Sequence, residues 1–234
     1  MKNPDELIVQ VPPSAATTAL LYRAERDRVG ATLVLAHGAG AGQRSPWIVE
    51  FARALSSLGL DIVTFNFLYT EQHRRLPDRK PLLESCYRAV IDVVRQDLDS
   101  ARAALVIGGK SMGGRIATQI AAADPGLDVK GLVLLGYPLH PPGRPDQRRD
   151  AHLPAVGRPM LFVQGSRDAF GTPIELAPVL ETFTRRATLH TVEGGDHSFT
   201  VARDRTRQAA VYDEVQRTIT EWIRALTGRS AGAR

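Results

Sequence analysis

Short apolar runs alternate with helical patterns along almost the whole chain, and this alternation is the strongest constraint on the fold. The runs are rich in Val, Leu and Ile and lack polar alternation, which is typical of strands buried on both faces. The predicted strands are Leu7–Val11, Leu20–Ala24, Ala31–Ala36, Asp61–Phe65, Ala104–Ile107, Gly131–Leu135, Pro159–Val163 and Thr188–Val192. The predicted helices are Pro46–Leu58, Leu82–Leu98, Met112–Ala123, Pro173–Phe183 and a last one with an apolar stripe from Val211 to Leu226. We therefore expect an α/β fold with a mostly parallel sheet of about eight strands, flanked by helices on both faces.

The overall composition fits one domain. The chain has 234 residues, of which 43% are hydrophobic and 24% charged, enough for one well-packed core but short for two. We expect a single domain over residues 1–228 and a disordered tail at 229–234. The start, MKNPDELIVQVPP, has no apolar leader, and no run approaches the roughly 18 apolar residues of a membrane helix. We therefore expect a cytoplasmic protein with no membrane partner.

Cysteine count and charge exclude further classes. The single cysteine, Cys86, rules out an intramolecular disulfide and a cysteine-based metal cluster. No His-x-x-His or His-carboxylate spacing indicates a metal site, so no metal is expected. The net charge of +5 comes from dispersed arginines without a basic run or a nucleic-acid motif, so no nucleic-acid partner is expected. The oligomeric state stays open.

The segment VIGGKSMGGR, residues 106–115, fits two motifs with different chemistry. A phosphate-binding loop, G-x-x-x-x-G-K-[ST], would need a glycine at position 104, which is alanine, and a loop where a buried strand is predicted. The nucleophile turn G-x-S-x-G needs a strand, a tight turn and a helix, which is the predicted context of Ser111. Glycines on both sides of that serine leave space for the turn. The segment therefore favours a nucleophilic serine, with an idle serine in a glycine-rich turn as the alternative.

A serine nucleophile needs a general base that is oriented by a carboxylate. In this topology the chain order is serine, acid, histidine. Asp168 and His197 each follow directly after a predicted strand and stand in that order. Asp196 and Glu193 are alternative acids, although a residue adjacent to the base in sequence seldom reaches the far nitrogen of its imidazole. We predict Ser111 as nucleophile, His197 as base and Asp168 as the orienting acid.

An acyl-transfer site also needs two backbone N–H groups that point at the developing oxyanion. We expect one from Met112, the residue after the nucleophile. The other is expected from the loop HGAGAG (37–42), either from Ala39 or, as the alternative, from Gly40. Dinucleotide binding by this loop is a weaker interpretation, because Gln43 stands where G-x-G-x-x-G needs its third glycine.

Two long loops, Phe67–Pro81 and Tyr137–Arg158, follow predicted strands, where parallel sheets bind ligands. Arg115 follows the nucleophile on its helix, and together with arginines of the first loop it would favour an acidic acyl or alcohol group, with solvated arginines as the alternative. We expect two of four aromatic side chains near these strand ends to contact substrate. The four are Tyr69, Tyr137, Phe170 and Phe199.

Five segments carry a resemblance to a known superfamily. They are LAHGAGAG (35–42), GGKSMGGR (108–115), GYPLHPPG (136–143), FVQGSRDAFGT (162–172) and GGDHSF (194–199). The chain resembles the α/β-hydrolase superfamily across essentially its whole length. Within it, the chain looks like a small lidless, dienelactone-hydrolase-like group that includes a testis-expressed protein and a subunit of the non-specific-lethal acetyltransferase complex. The resemblance implies an α/β-hydrolase fold without a lid domain and a triad of Ser111, Asp168 and His197.

The expected function is hydrolysis of a carboxylic ester or thioester of a small soluble substrate, through an acyl-enzyme and without a cofactor. Two alternatives stay open. Some members of the group act as interaction subunits, so a non-catalytic protein-interaction module on a hydrolase fold is one. An amide or peptide hydrolase is the other, because the same residues serve both bonds. Neither the bond type nor the acyl chain can be read from the sequence.

Overall fold

The structure, a computed structural model, describes residues 3–183, 186–201 and 204–228, and the predicted disordered tail lies outside these ranges. The strands are β1 (Asp5–Val11), β2 (Ala15–Tyr22), β3 (Thr32–Ala36), β4 (Asp61–Phe65), β5 (Leu105–Lys110), β6 (Gly131–Leu135), β7 (Met160–Gly165) and β8 (Ala187–Val192). The helices are α1 (Pro46–Ser57), α2 (Leu68–Glu71), α3 (Lys80–Asp97), α4 (Asp99–Ala103), α5 (Met112–Ala123), α6 (Pro173–Glu181) and α7 (Arg205–Leu226). The predicted strands and long helices are all present, with ends shifted by a few residues.

The strands form one sheet in the order β1-β2-β4-β3-β5-β6-β7-β8. β1 pairs with β2, and β2 with β4, in antiparallel fashion. All other neighbours in the sheet are parallel, which confirms the predicted mostly parallel sheet. The six strands from β3 to β8 therefore end at the same edge, where the functional loops gather.

Helices cover both faces of the sheet and explain why the strands lack polar alternation. All five residues of β3 are buried. Leu33 and Leu35 face an apolar cluster with residues of α1 and α7. Val34 and Ala36 face a second cluster with residues of α3 and α5. Each fully buried aliphatic side chain of this size contributes about 1.5–3 kcal/mol, so both faces of the strand stabilise the layered fold.

Three short helical pieces lie in segments where no helix was predicted: α2, α4 and a 3₁₀ turn at Leu153–Ala155. Pieces of three to five residues are too short to show a periodic pattern in sequence. The 3₁₀ turn is the sole regular structure between β6 and β7 in the described chain, so no helical lid covers the sheet edge there. No helix in the described ranges is long and apolar enough to cross a membrane.

Candidate active site

Ser111 occupies the sharp turn between β5 and α5. Its backbone has φ 51° and ψ −115°, a conformation that costs a residue other than glycine about 1–3 kcal/mol. A Cβ atom on Gly109 or Gly113 would lie 2.5 or 2.6 Å from the carbonyl oxygen of Ala36. Both flanking positions therefore need glycine, because β3 passes directly against the turn. The strain and the close approach together expose the serine hydroxyl at the sheet edge.

His197 lies in the loop after β8, and Asp168 holds its imidazole. The Nδ1 atom of His197 is 2.9 and 2.8 Å from the two carboxylate oxygens of Asp168. Asp168 is 2% exposed and also accepts hydrogen bonds from the Phe170 backbone N–H and the Gln164 side-chain amide, both at 2.8 Å. A carboxylate held by these donors fixes the ring so that Nδ1 carries a proton, which leaves Nε2 to act as a base.

The two alternative acids bond elsewhere. Asp196 accepts two backbone N–H groups of its own loop, at 2.8 and 2.9 Å. The carboxylate of Glu193 accepts the hydroxyl of Ser166 at 3.0 Å. Both side chains are exposed, so the structure brings Asp168 to the imidazole and neither competitor.

Ser111 and His197 line the same cavity, which has a volume of about 730 Å³. In the described ranges the imidazole of His197 makes its hydrogen bonds to Asp168 alone. The serine hydroxyl and Nε2 thus share the cavity without a hydrogen bond between them. Hydrogen bonds in catalytic sites are often long until substrate binds.

Two of the predicted oxyanion donors, Met112 and Ala39, line the same cavity as Ser111 and His197. Met112 begins α5, where the first N–H groups of a helix have no partner within the helix. Neither Met112 nor Ala39 donates its backbone N–H to any acceptor in the described chain, and both residues line the cavity. Gly40 does not line it, and its backbone lies beside the buried hydroxyl of Tyr69. The geometry therefore favours Ala39 over Gly40.

His37 fixes the loop that carries Ala39. It is fully buried, its Nδ1 lies 2.8 Å from the carbonyl oxygen of Gly38, and its Nε2 accepts the backbone N–H of Phe67 at 3.3 Å. Burial lowers the pKa of His37 to about 4, so the ring is neutral and can both donate and accept. The histidine therefore joins the loop after β3 to the segment after β4.

Of the four aromatic candidates, Phe170 alone lines the cavity. Its ring stacks on the imidazole of His197 with centroids 4.2 Å apart. Tyr69, Tyr137 and Phe199 are at most 1% exposed, which corrects their assignment as substrate contacts. Each comes after a strand in sequence, but its ring is buried among other residues and does not line the cavity.

Lys110 is a site residue that sequence reasoning missed. Its side chain is only 8% exposed, and its Nζ donates to the backbone carbonyl of His197. The ammonium lies 5.8 Å from the ring centroids of both Trp47 and Phe199, within the range of a cation–π contact. Burial lowers the pKa of Lys110 to about 8, while the charges of Asp168 and Asp196 oppose that shift. Lys110 thus ties the end of β5 to the loop that carries the base.

Some of the arginines near the site line the cavity, whereas another pairs with a carboxylate instead. Arg115, which is expected to contact substrate, lines the cavity, and so does Arg149 from the loop between β6 and β7. Arg74, from the first long loop, instead forms an ion pair with Asp78 at 2.6 Å. The sequence places Arg149 in a loop after a strand, but it places the neighbouring arginines of that loop there as well. The sequence therefore does not single out Arg149 as a site residue.

No cluster of His, Cys, Asp and Glu in the described ranges has an arrangement that could hold a metal ion.

Comparison with known proteins agrees with this architecture. Residues 29–224 match a family model described as an alpha/beta hydrolase domain. Among solved structures, an α/β serine hydrolase without a lid from Xanthomonas campestris is 23% identical, with a TM-score of 0.73 over 95% of this chain and 96% of the other. An α/β serine hydrolase homologue from Coxiella burnetii is 17% identical, with a TM-score of 0.73 over 94% and 99%. A dienelactone hydrolase from Anabaena variabilis is 22% identical, with a TM-score of 0.67 over 92% and 97%.

Proposed function

The chain belongs to the α/β hydrolase family, and from this premise we propose that it is a serine hydrolase acting on a carboxylic ester or thioester of a small soluble substrate. One observation carries the proposal. A serine in a strained turn opens into the same cavity as a histidine whose Nδ1 lies 2.8 Å from a buried carboxylate. Strained backbone and paired, buried polar groups at a cavity are typical of a catalytic site.

In the proposed reaction, Ser111 Oγ attacks the acyl carbon while Nε2 of His197 takes the hydroxyl proton. The electron pair of the carbonyl double bond moves onto its oxygen. When this tetrahedral intermediate collapses, the bond to the leaving alcohol or thiol breaks, and the imidazolium gives that group its proton. A water molecule then attacks the acyl-serine with His197 again as base, which releases the acid and restores Ser111.

The remaining groups stabilise charge during these steps. Asp168 keeps the imidazole in the required tautomer and lies beside the positive charge that forms on it. The N–H groups of Met112 and Ala39, which have no acceptor in the described chain, donate to the oxyanion. Fixed donors of this kind contribute about 2.7–4 kcal/mol each to the barrier reduction in serine hydrolases.

The open cavity supports the substrate class. Among the described residues, a loop with a 3₁₀ turn stands where a lid domain would insert, and it is too short to enclose a long lipid chain. Small or extended soluble substrates suit such a site. Membership in the lidless, dienelactone-hydrolase-like group and a cytoplasmic location are parts of this proposal.

The main alternative is a non-catalytic interaction module on the same fold. A pure scaffold has no use for a strained Ser111, which lowers stability without a folding role, or for an imidazole aligned on a buried carboxylate. An amide hydrolase would use the same atoms. Assays with different substrates therefore identify the bond that is cleaved.

The first test is intact-mass analysis after incubation with a fluorophosphonate, which reacts with activated serines. The wild type should gain a single adduct that maps to Ser111, and Ser111→Ala and His197→Ala should gain none. Ser198→Ala is the matched control, because Ser198 lines the same cavity beside the base; it should label like the wild type. No adduct on folded wild-type protein would refute the proposal. A panel of esters, thioesters and amides then identifies the bond.

A further inference from the structure

Two arginines face the cavity with no acidic partner. Arg115 and Arg149 both line it, both are partly buried, and neither forms an ion pair with an Asp or Glu of the described chain. The Nε atom of Arg115 is buried and has no hydrogen-bond partner among the described residues. Buried polar atoms in proteins are nearly always satisfied, so an unsatisfied guanidinium at a cavity wall indicates a group that a ligand completes.

The other charges around the cavity already have partners. Asp78 is the one carboxylate among the lining residues of the described chain, and it accepts from Arg74 and from the Tyr69 backbone N–H. Lys110 donates to the carbonyl of His197, and Lys80 lies 3.5 Å from Glu84. The charge left uncompensated is therefore that of the two arginines.

Both arginines are held at defined places. Arg115 is the fourth residue of α5, which begins directly after Ser111, and its backbone N–H donates to the Ser111 carbonyl at 3.1 Å. Arg149 lies in a loop, but its backbone N–H donates to Leu139 at 2.8 Å and its carbonyl accepts the buried hydroxyl of Tyr137 at 2.7 Å. Because its backbone N–H and carbonyl are both hydrogen-bonded, Arg149 has a defined position in the cavity wall.

The charges around Arg115 act on neighbouring pKa values mainly as positive ones, with Asp150 as a smaller opposing charge at His152. Burial and then the charge of Arg149 lower the pKa of Arg115. Burial, followed by the charges of Arg115 and Lys80, lowers the pKa of the neighbouring His152 to about 4. Two cations that repel each other across a partly buried cavity are stabilised together by one bound anion.

We propose that Arg115 and Arg149 form a subsite for an acidic group of the substrate, a carboxylate or a phosphate, a few atoms from the bond that Ser111 attacks. The apolar side chains of Ile116 and Phe170 also line the cavity, and they suit the carbon skeleton between the two groups. Planar guanidinium groups bind such oxyanions through paired hydrogen bonds. The reaction served by this subsite rests on the proposed function, whereas binding of the anion does not.

The decisive experiment measures binding to the full-length Ser111→Ala variant, so that no turnover is needed. The probes are benzoate, phenyl phosphate and benzamide, which share one ring and differ in the head group. Binding is followed by NMR shift perturbation or by fluorescence of Trp47, which lines the cavity. We expect at least one of the two anions to bind at least tenfold more tightly than neutral benzamide; whichever binds better identifies the natural head group. Equal binding of all three would overturn the proposal.

Variants then locate the head group. Adding Arg115→Gln or Arg149→Gln to Ser111→Ala should weaken binding of the preferred anion at least tenfold. Arg115→Lys should retain more of that affinity than Arg115→Gln, because lysine keeps the charge without the planar guanidinium. Arg144→Gln is the matched control: it is an exposed arginine of the same loop as Arg149 and does not line the cavity. Anion binding that survives both arginine variants but is lost in Lys110→Met would put the head group beside Lys110 and overturn the subsite.

A turnover comparison connects the subsite to catalysis. For wild type, kcat/KM should be at least tenfold higher for 4-acetoxybenzoate than for 4-acetoxybenzamide after correction for their rates with hydroxide. Arg149→Gln should narrow that ratio. Failure of fluorophosphonate labelling would remove this comparison and the proposed function, while the binding result would still decide whether the arginines hold an anion.

Discussion

Two groups of charged residues at the cavity differ in how their charges are balanced: a satisfied, catalytic end, which we define as Asp168, His197 and Lys110, and an unsatisfied, arginine end, which we define as Arg115 and Arg149. At the catalytic end, Asp168 accepts hydrogen bonds from an imidazole, a backbone N–H and a side-chain amide, and Lys110 is tied to the carbonyl of His197. At the arginine end, Arg115 and Arg149 face the same cavity with no carboxylate partner in the described chain.

This difference separates two tasks. Groups that carry out proton transfer must be positioned before the reaction, so the protein satisfies them internally. Groups that recognise a ligand keep their bonding capacity for it, and the fold must tolerate them unpaired until it binds. Satisfied and unsatisfied charges in one cavity therefore indicate which residues act on substrate and which select it.

The largest effect on catalysis should come from a substitution of Asp168 at the satisfied end. In Asp168→Asn, the amide can donate to Nδ1 and so favours the wrong imidazole tautomer, and kcat on an activated ester should fall by about 10³–10⁴-fold. Asp196→Asn is the control, because Asp196 bonds only to its own loop, and it should lose less than about tenfold. The reverse order of the two losses would mean that the orienting acid is misassigned.

Two histidines beside the site, the buried His37 and the partly buried His152, give the next largest effect, on stability. The pKa values of His37 and His152 are both lowered from 6.5 to about 4. Between these pH values the unfolded chain binds protons that the folded chain does not, so the free energy of unfolding should fall as pH drops from about 6.5 to about 4. For fully buried His37 the loss is on the order of 3 kcal/mol. Urea denaturation at several pH values measures it, with His37→Gln expected to flatten the dependence.

The pKa shifts of His37 and His152 have different causes, and a substitution can separate them. Burial dominates at both, but Arg115 and Lys80 contribute only to His152. Arg115→Gln should therefore raise the pKa of His152, measured by NMR, and leave that of His37 unchanged. Equal shifts at both rings would show that the positive field is not confined to the arginine end.

Much of the fold could be predicted because its signals are local. Buried strands lack polar alternation, and a G-x-S-x-G turn between a strand and a helix specifies where Ser111 lies. The direction of a loop side chain is not local. Tyr137 and Phe199 follow strand ends as Phe170 does, yet the first two pack inward and only Phe170 reaches the cavity. Arg149 and Lys110 could not be found either, because their environments come from segments distant in sequence.

Lys110→Met tests whether the satisfied end depends on its buried cation. The substitution keeps the length of the side chain but removes the donor to the His197 carbonyl, and an unsatisfied buried acceptor costs about 1–3 kcal/mol of stability. Because the pKa of Lys110 is about 8, the ammonium is lost above that pH in the folded protein. We therefore expect wild-type kcat to decline above about pH 8 and this limb to be absent from Lys110→Met. Lys130→Met, on an exposed lysine, should keep the wild-type profile; an unchanged profile in Lys110→Met would exclude a positioning role.

The smallest expected effect concerns the support of the unsatisfied end. Tyr137→Phe removes only the hydroxyl that donates to the Arg149 carbonyl at 2.7 Å, so it should cost about 0.5–1.5 kcal/mol of stability. Without that bond the Arg149 backbone is less fixed, and affinity for the preferred anionic probe should fall a few-fold while fluorophosphonate labelling of Ser111 keeps its wild-type rate. Tyr22→Phe, on a buried tyrosine of β2, should leave anion affinity intact. If Tyr137→Phe slowed labelling as much as it weakened anion binding, the two ends of the cavity would be coupled through the loop, and the division between positioned and selecting groups would not hold.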